Sequence, residues 1–144
     1  MTIAVDFDGT IVEHKYPAIG NELPFATETL RMLIRDQHRL ILWTVREGKL
    51  LDEAVEWCRK RGVEFYAINN DYPEETKENN NHFSRKLKVD VWIDDRNIGG
   101  LPGWGEIYHM ITDRTTFQDL IREARQSTHI DNHEPPRKKH WWNF

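Results

Sequence analysis

The chain has 144 residues, a formal net charge of −4, and a composition that is 38% hydrophobic, 31% charged and 11% aromatic. That length suits a single domain burying roughly 68–70% of the surface its unfolded chain exposes, and the aromatic content argues against general disorder. The mildly acidic balance disfavours nucleic acid or an anionic membrane as a partner of the whole surface, and the single cysteine, Cys58, excludes an internal disulfide or a cysteine zinc cluster.

No apolar run approaches the roughly 20 residues of a membrane span. The start, MTIAVDFD, lacks the basic and long apolar stretches of a signal peptide. A soluble cytoplasmic protein is the expectation.

The first apolar run, Ile3 to Phe7, ends in Asp8-Gly9-Thr10, and its shortness and the breaker predict a strand. Helical spacing follows at Ala26, Leu30, Leu33 and Ile34, with Pro24 in the expected first turn. A second strand is predicted at Leu40–Trp43, ending in Thr44. Leu51, Ala54, Val55 and Cys58 form the next helical stripe, with Gly62 placed to end it. Phe65–Ile68 and Val89–Ile93 complete the strand set, the last closed by Asp94-Asp95. Residues 105–110 lean towards helix. Phe117, Leu120, Ile121 and Ala124 predict a late helix capped by Thr115 or Thr116.

Runs apolar almost throughout fit strands covered on both faces. The strand–helix alternation therefore predicts an α/β domain over residues 1–126, a three-layer, Rossmann-like parallel sheet flanked by helices. Residues 71–84 and 127–144 are expected to be loosely ordered, the latter either free or docking.

In an open parallel sheet, ligands bind beyond the carboxyl ends of the strands. Asp6, Asp8, Thr44, Asp94 and Asp95 all fall there. Carboxylates about 4 Å apart repel by roughly 4 kcal/mol at an effective dielectric near 20. A divalent cation relieves this, and an all-oxygen site with few protein ligands suits Mg²⁺. Residues i and i+2 of a strand share a side, so Asp6 and Asp8 can face one phosphorylated substrate. Asp6 would attack phosphorus. Asp8 would protonate the leaving oxygen and then deprotonate water.

The order Asp6-Phe7-Asp8-Gly9-Thr10, Thr44, a lysine and Ile93-Asp94-Asp95 resembles the haloacid dehalogenase superfamily, in its phosphatase branch, over residues 1–97. The resemblance implies that Asp6 is the nucleophile and a Mg²⁺ ligand. It implies that Asp8 is the general acid/base and ligates the metal through its backbone carbonyl. Thr44 would bind the transferring phosphoryl group, Asp94 would ligate the metal, and Asp95 would support it. Lys86 sits at the position of the family's lysine, although the usual following proline is missing; Lys88 and Arg85 are alternatives.

Members of that superfamily carry a cap after the first or the third strand; Ile11–Leu23 has room only for a short flap, and Thr44 to Lys86 only for a helix, a strand and a short excursion, so the resemblance is to a capless member. An open site would admit large substrates or be closed by a loop or by a second subunit in a homo-oligomer. Expected rim residues are His14, Lys15, Tyr16, Arg46 for a second anionic group, and Asp71-Tyr72; Trp104 could stack on a ring. Cys58 falls on a buried stripe and is expected to be inert, and Trp43 is expected to be core. The histidines show no metal-ligand spacing.

The tail segment Arg137–Trp142 mixes basic and aromatic groups. Such a mixture can stack on bases or anchor at a membrane surface, but docking on this chain or a partner copy is favoured. The leading expectation is a Mg²⁺-dependent phosphomonoester hydrolase. Competing readings are a phosphoryl-binding signalling module or scaffold with weak catalysis, and a metal-dependent nuclease. The motif order, acidic pair last, argues against the signalling module, and Thr44 and the lysine are unexplained by the nuclease.

Overall fold

The computed structural model describes residues 1–76, 78, 79 and 86–130, the last three by backbone alone. The chain forms two compact units, Met1–Tyr108 and His109–Phe144. The first contains a parallel four-stranded sheet built from β1 (Thr2–Val5), β2 (Arg39–Leu42), β3 (Ala67–Ile68) and β4 (Val91–Ile93), in the order β3-β2-β1-β4. The fold is therefore α/β and compatible with a Rossmann-like arrangement.

The register aligns the carboxyl ends of the strands. Val5 pairs with Leu42 on one side and Ile93 on the other, and Leu42 pairs with Ile68. The ladder then continues one step past the strands. Asp6 N donates to Ile93 O, Trp43 N to Val5 O and Asn69 N to Leu42 O. Successive strands after β1 are laid first to one side of it and then, for β4, to the other. The chain reverses direction across the sheet between β1 and β4, the kind of switch point where open sheets place their ligands.

Both sheet faces are apolar because every inward residue of β1 and β2 is apolar. Ile3, Val5, Leu40 and Leu42 are fully or almost fully buried on one face. On the other, Ala67, Ile41 and Ala4 form a cross-strand row with Leu87, and half-buried Trp43, Val89 and Trp92 pack against it. Trp43 and Trp92 meet edge to face at 5.8 Å between centroids. Each fully buried aliphatic side chain contributes about 1.5–3 kcal/mol relative to exposure.

Two helices link the strands, α1 (Ala26–Arg35) and α2 (Gly48–Arg59). Pro24 lies just ahead of α1 and not inside its first turn. Phe25 precedes the helix with φ 65° and gives no side-chain cap; the Glu22 carboxylate accepts from Thr27 N at 2.8 Å instead. At the other end of α1, Gln37 takes φ 66°, while its N–H bonds Ile34 O and that of His38 bonds Leu33 O. These are the paired bonds of a Schellman ending, here without glycine. Gly62 does the same job after α2 at φ 76°, with Val63 N donating to Cys58 O, as its position in the sequence predicts.

Helix α3 (Trp104–Asp113) spans the boundary between the two units, and α4 (Phe117–Ile130) lies in the second. Thr116 and Asp119 cap α4 reciprocally: Thr116 N donates to Asp119 Oδ2 at 2.8 Å and Asp119 N to Thr116 Oγ1 at 3.3 Å. The helix runs through residues 127–130, where loose order was expected. Residues 131–144, with Arg137–Trp142, lie outside the described residues.

Of the segment 71–84, residues 77 and 80–84 lie outside the described residues. Asp71 N donates to Glu75 Oε2, Thr76 N and Tyr72 Oη to Asn79 Oδ1, and Asn79 Nδ2 to Glu74 O. A polar network orders residues 71–76, 78 and 79 without a hydrophobic period to announce it.

Candidate active site

Three carboxylates meet at the switch point. Oxygen atoms of Asp6, from the end of β1, and of Asp94 and Asp95, from the end of β4, all lie within 4.8 Å of one another. The pairing of β1 with β4 brings them together, and the Asp6 N to Ile93 O bond at 3.0 Å carries the alignment to the first of them. Burial, with Asp94 and Asp95 adding their charge, pushes the Asp6 carboxyl up to about 7. No cation pairs with any of the three among the described residues. A half-buried oxygen cluster with this unrelieved repulsion has the donor chemistry of a hard divalent ion site.

Thr10 knits the cluster from below. Its hydroxyl lies 3.2 Å from Asp6 Oδ2 and 3.4 Å from Asp95 Oδ1, and it accepts from Asp95 N at 3.0 Å. One hydroxyl proton serves one carboxylate at a time. Thr10 is itself fully buried, and its carbonyl accepts from Trp104 Nε1 at 3.0 Å.

A cleft of about 210 Å³ opens over these groups, lined by Asp6, Asp8, His14, Trp43, Thr44, Val45, Asp94 and Arg96. Thr44 stands at its expected place beyond β2. Its N–H donates to Asn69 Oδ1 at 2.8 Å, and its hydroxyl accepts from Arg46 N at 3.2 Å. Trp43 is both core and wall.

The Asp8 carboxylate stands apart from the acidic cluster and is paired differently. Arg46 Nε donates to Asp8 Oδ2 and Arg46 Nη2 to Asp8 Oδ1, both at 2.7 Å. Arg46, expected on the rim for a second anion, is wholly buried. Its remaining bonds go to Pro17 O at 3.0 Å and Ala18 O at 2.9 Å, and the Phe7 and Tyr16 rings lie 5.1 and 5.3 Å from its guanidinium carbon. The bonds to Asp8 raise its already high pKa further. An arginine so enclosed has no free edge for substrate.

No protein-family model matches the chain, and no curated protein matches it. A solved structure, described as the conserved protein coded by locus from Bacteroides thetaiotaomicron, is 68% identical over 83% of this chain and 96% of that one, with a TM-score of 0.78. The chain belongs to the family of that protein.

In this family member several other expected residues sit away from the cleft. Lys86 is exposed and is not among the residues lining the cleft. Lys88 is exposed and its N–H bonds Asp71 Oδ1, while Arg85 lies outside the described residues. Lys15 pairs with Glu13, and Tyr72 bonds Asn79. Trp104, expected to stack on a ring, is 3% exposed and serves Thr10 instead. The flap itself is a narrow excursion, with Glu13 N bonded to Asn21 O and Leu23 N to Ile11 O. Of its residues His14 reaches the cleft.

Sequence reasoning missed Arg96 and Asn69, and gave Thr10 no role beyond its place in the first motif. Arg96 is two residues beyond Asp94 and exposed, with its own N–H bonded to Asp94 Oδ1 at 2.8 Å. It supplies the cleft with the cationic wall expected from Arg46. Its place directly after the acidic pair was the available signal.

Proposed function

We propose that the chain is a Mg²⁺-dependent phosphomonoester hydrolase of the haloacid dehalogenase type, working through an aspartyl-phosphate on Asp6. The observation that carries this reading is the meeting of Asp6, Asp94 and Asp95 at the switch point, beside a cleft that Asp6 and Asp94 line together with Asp8 and Thr44. Asp6, Asp94 and Asp95 would hold the ion, with the Asp8 carbonyl as the fourth protein ligand that the resemblance implies. A bound Mg²⁺ would neutralise the cluster and the charge of a phosphoryl group.

In the first step an Asp6 oxygen bonds to phosphorus and the ester P–O bond breaks. The leaving alcohol departs with a proton from Asp8. In the second, water attacks phosphorus and gives a proton back to Asp8, and the Asp6–phosphoryl bond breaks to release inorganic phosphate. Thr44 offers its hydroxyl to the phosphoryl oxygens, and Arg96 supports their charge from the rim. The cleft is smaller than the roughly 300–1,000 Å³ of pockets that engulf a drug-sized ligand, so it fits a phosphoryl group with the rest of the substrate lying outside. Such a site suits a range of phosphate monoesters, from small molecules to macromolecules.

The test is turnover of an aryl phosphate by wild type and Asp6→Asn, with Mg²⁺ and with EDTA. Turnover confined to wild type with Mg²⁺ is expected, with an acid-trapped, base-labile phosphoryl-protein. Equal turnover by Asp6→Asn rules out the nucleophile.

A further inference from the structure

We propose that Arg46 is a positioning residue that fixes the acid/base carboxylate of Asp8 and ties it to the flap, an inference that rests on the phosphatase reading. Four hydrogen bonds from one guanidinium carry it. Two go to Asp8 as a bidentate fork at 2.7 Å, and two go to the flap carbonyls of Pro17 and Ala18. The pair is enclosed, with Arg46 wholly buried and Asp8 6% exposed. Fork geometry sets the plane as well as the place of a carboxylate. A carboxylate has about four lone-pair sites, and the fork takes two, so the orientation of the others towards the cleft follows from Arg46. A lysine could supply the charge but not the plane.

The same guanidinium binds carbonyls 29 and 28 positions before it in sequence. Displacement of the flap at Pro17 and Ala18 must pull on the fork that holds Asp8. Tyr16, 48% exposed, covers the guanidinium from outside. The flap thus reports to the proton-transfer group, while His14 from the same flap lines the cleft. A substrate leaning on the flap and the proton it needs are mechanically connected.

The consequence lies in which substrates suffer when Arg46 is lost. Asp8 delivers a proton to the leaving oxygen, and this matters most for alkyl esters, whose alcohols leave poorly. An aryl phosphate leaves well without it. Arg46→Lys and Tyr16→Leu are compared with wild type, with Mg²⁺, on p-nitrophenyl phosphate and on glycerol phosphate. For Arg46→Lys, kcat on the alkyl ester is expected to fall about 10²- to 10⁴-fold, the usual reach of general acid–base catalysis. On the aryl ester it should fall by less than about tenfold, with KM unchanged on both. Tyr16→Leu, at an exposed position, should show the same selectivity at about twofold to fivefold.

Equal losses on the two esters, or a raised KM at constant kcat, overturn the proposal. If Arg46→Lys gives no cooperative melt, Tyr16→Leu decides alone, and unselective kinetics there overturn it too. A wild-type chain inactive on both esters strikes at the phosphatase reading itself and takes this proposal with it.

Discussion

The Trp104 indole N–H donates to the backbone carbonyl of Thr10 at 3.0 Å, across 94 positions of sequence. The bond joins the N-terminus of α3 to the turn that carries the first acidic motif. Thr10 in turn holds Asp6 and Asp95. Thr29, in α1, adds a weaker tie by donating to Trp104 O at 3.4 Å. A buried tryptophan therefore sets the height of the floor on which the acidic cluster stands.

Trp104→Phe is expected to keep the ring's burial and lose only the donor. An unsatisfied buried carbonyl costs about 1–3 kcal/mol, so the urea midpoint should fall by a corresponding amount. Turnover, where present, should drop severalfold as Thr10 loosens. Trp104→Ala removes the ring as well and should cost about 3–5 kcal/mol. Equal stability of wild type and Trp104→Phe would show that the bond contributes nothing.

The acidic cluster should make stability depend on pH. The Asp6 carboxyl titrates at 3.8 in its ordinary state and is pushed up to about 7 in the fold, chiefly by burial. Between these values the folded protein keeps a proton that the unfolded chain has lost. Stability of the metal-free protein should therefore fall as pH rises from about 4 to about 7, and this contribution levels off above. Asp6→Asn should abolish that slope, and the difference between the two profiles separates Asp6 from His38, whose pKa is lowered by burial.

Magnesium should act in the opposite sense. An ion at this cluster must displace the Asp6 proton, so its affinity is expected to climb with pH up to about 7. At 100 times Kd it adds about 2.7 kcal/mol of stability. Urea midpoints at pH 5 and pH 8, with Mg²⁺ or EDTA, test this. The Mg²⁺ increment should be small at pH 5, large at pH 8, and absent in Asp6→Asn. An increment that persists in Asp6→Asn would place the ion elsewhere.

Much of this site was legible because its signals are local. Each strand is a short apolar run stopped by a polar group, and a parallel sheet sends those stops to one edge. Asp6, Thr44, Asp94 and Asp95 follow directly. Arg46 was misread because nothing in Trp43-Thr44-Val45-Arg46 encodes its partners. They are the Asp8 carboxylate and two main-chain carbonyls of the flap, and neither leaves a periodic trace. Trp104 was misread for the same reason, since its partner is a carbonyl, which every residue has. Residues 71–76, 78 and 79 read as loose in the sequence because hydrogen bonds among side chains and backbone, not apolar burial, hold them. Arg96 escaped notice because exposed arginines are common and only the cleft gives this one a use.

Cys58 offers a check on the packing of α2. It is fully buried on the helix face expected from the sequence, and burial pushes its thiol up to about 12. The thiolate is the reactive form. The native protein is expected to give almost no colour with a thiol–disulfide exchange reagent at pH 8, and one equivalent per chain in guanidinium chloride. Fast labelling without denaturant would mean that α2 opens readily from the sheet.

Gly9 gives the sharpest structural test of the cluster. It turns the chain between Asp8 and Thr10 at φ 88°, a conformation that L side chains rarely adopt. A Cβ built there would also collide with the Asp95 carboxylate. Gly9→Ala therefore carries two penalties, about 1–3 kcal/mol for the backbone and a displaced Asp95. Since Thr10 hydrogen-bonds Asp95 in two ways, the displacement should spread to Asp6. The variant is expected to melt below wild type and to lose the Mg²⁺-dependent stabilisation at pH 8. Gly105 is a suitable control, because a Cβ there meets nothing within 4 Å, and Gly105→Ala should keep the full Mg²⁺ response. If both alanine variants keep it, the close approach of Gly9 to Asp95 has no part in holding the ion.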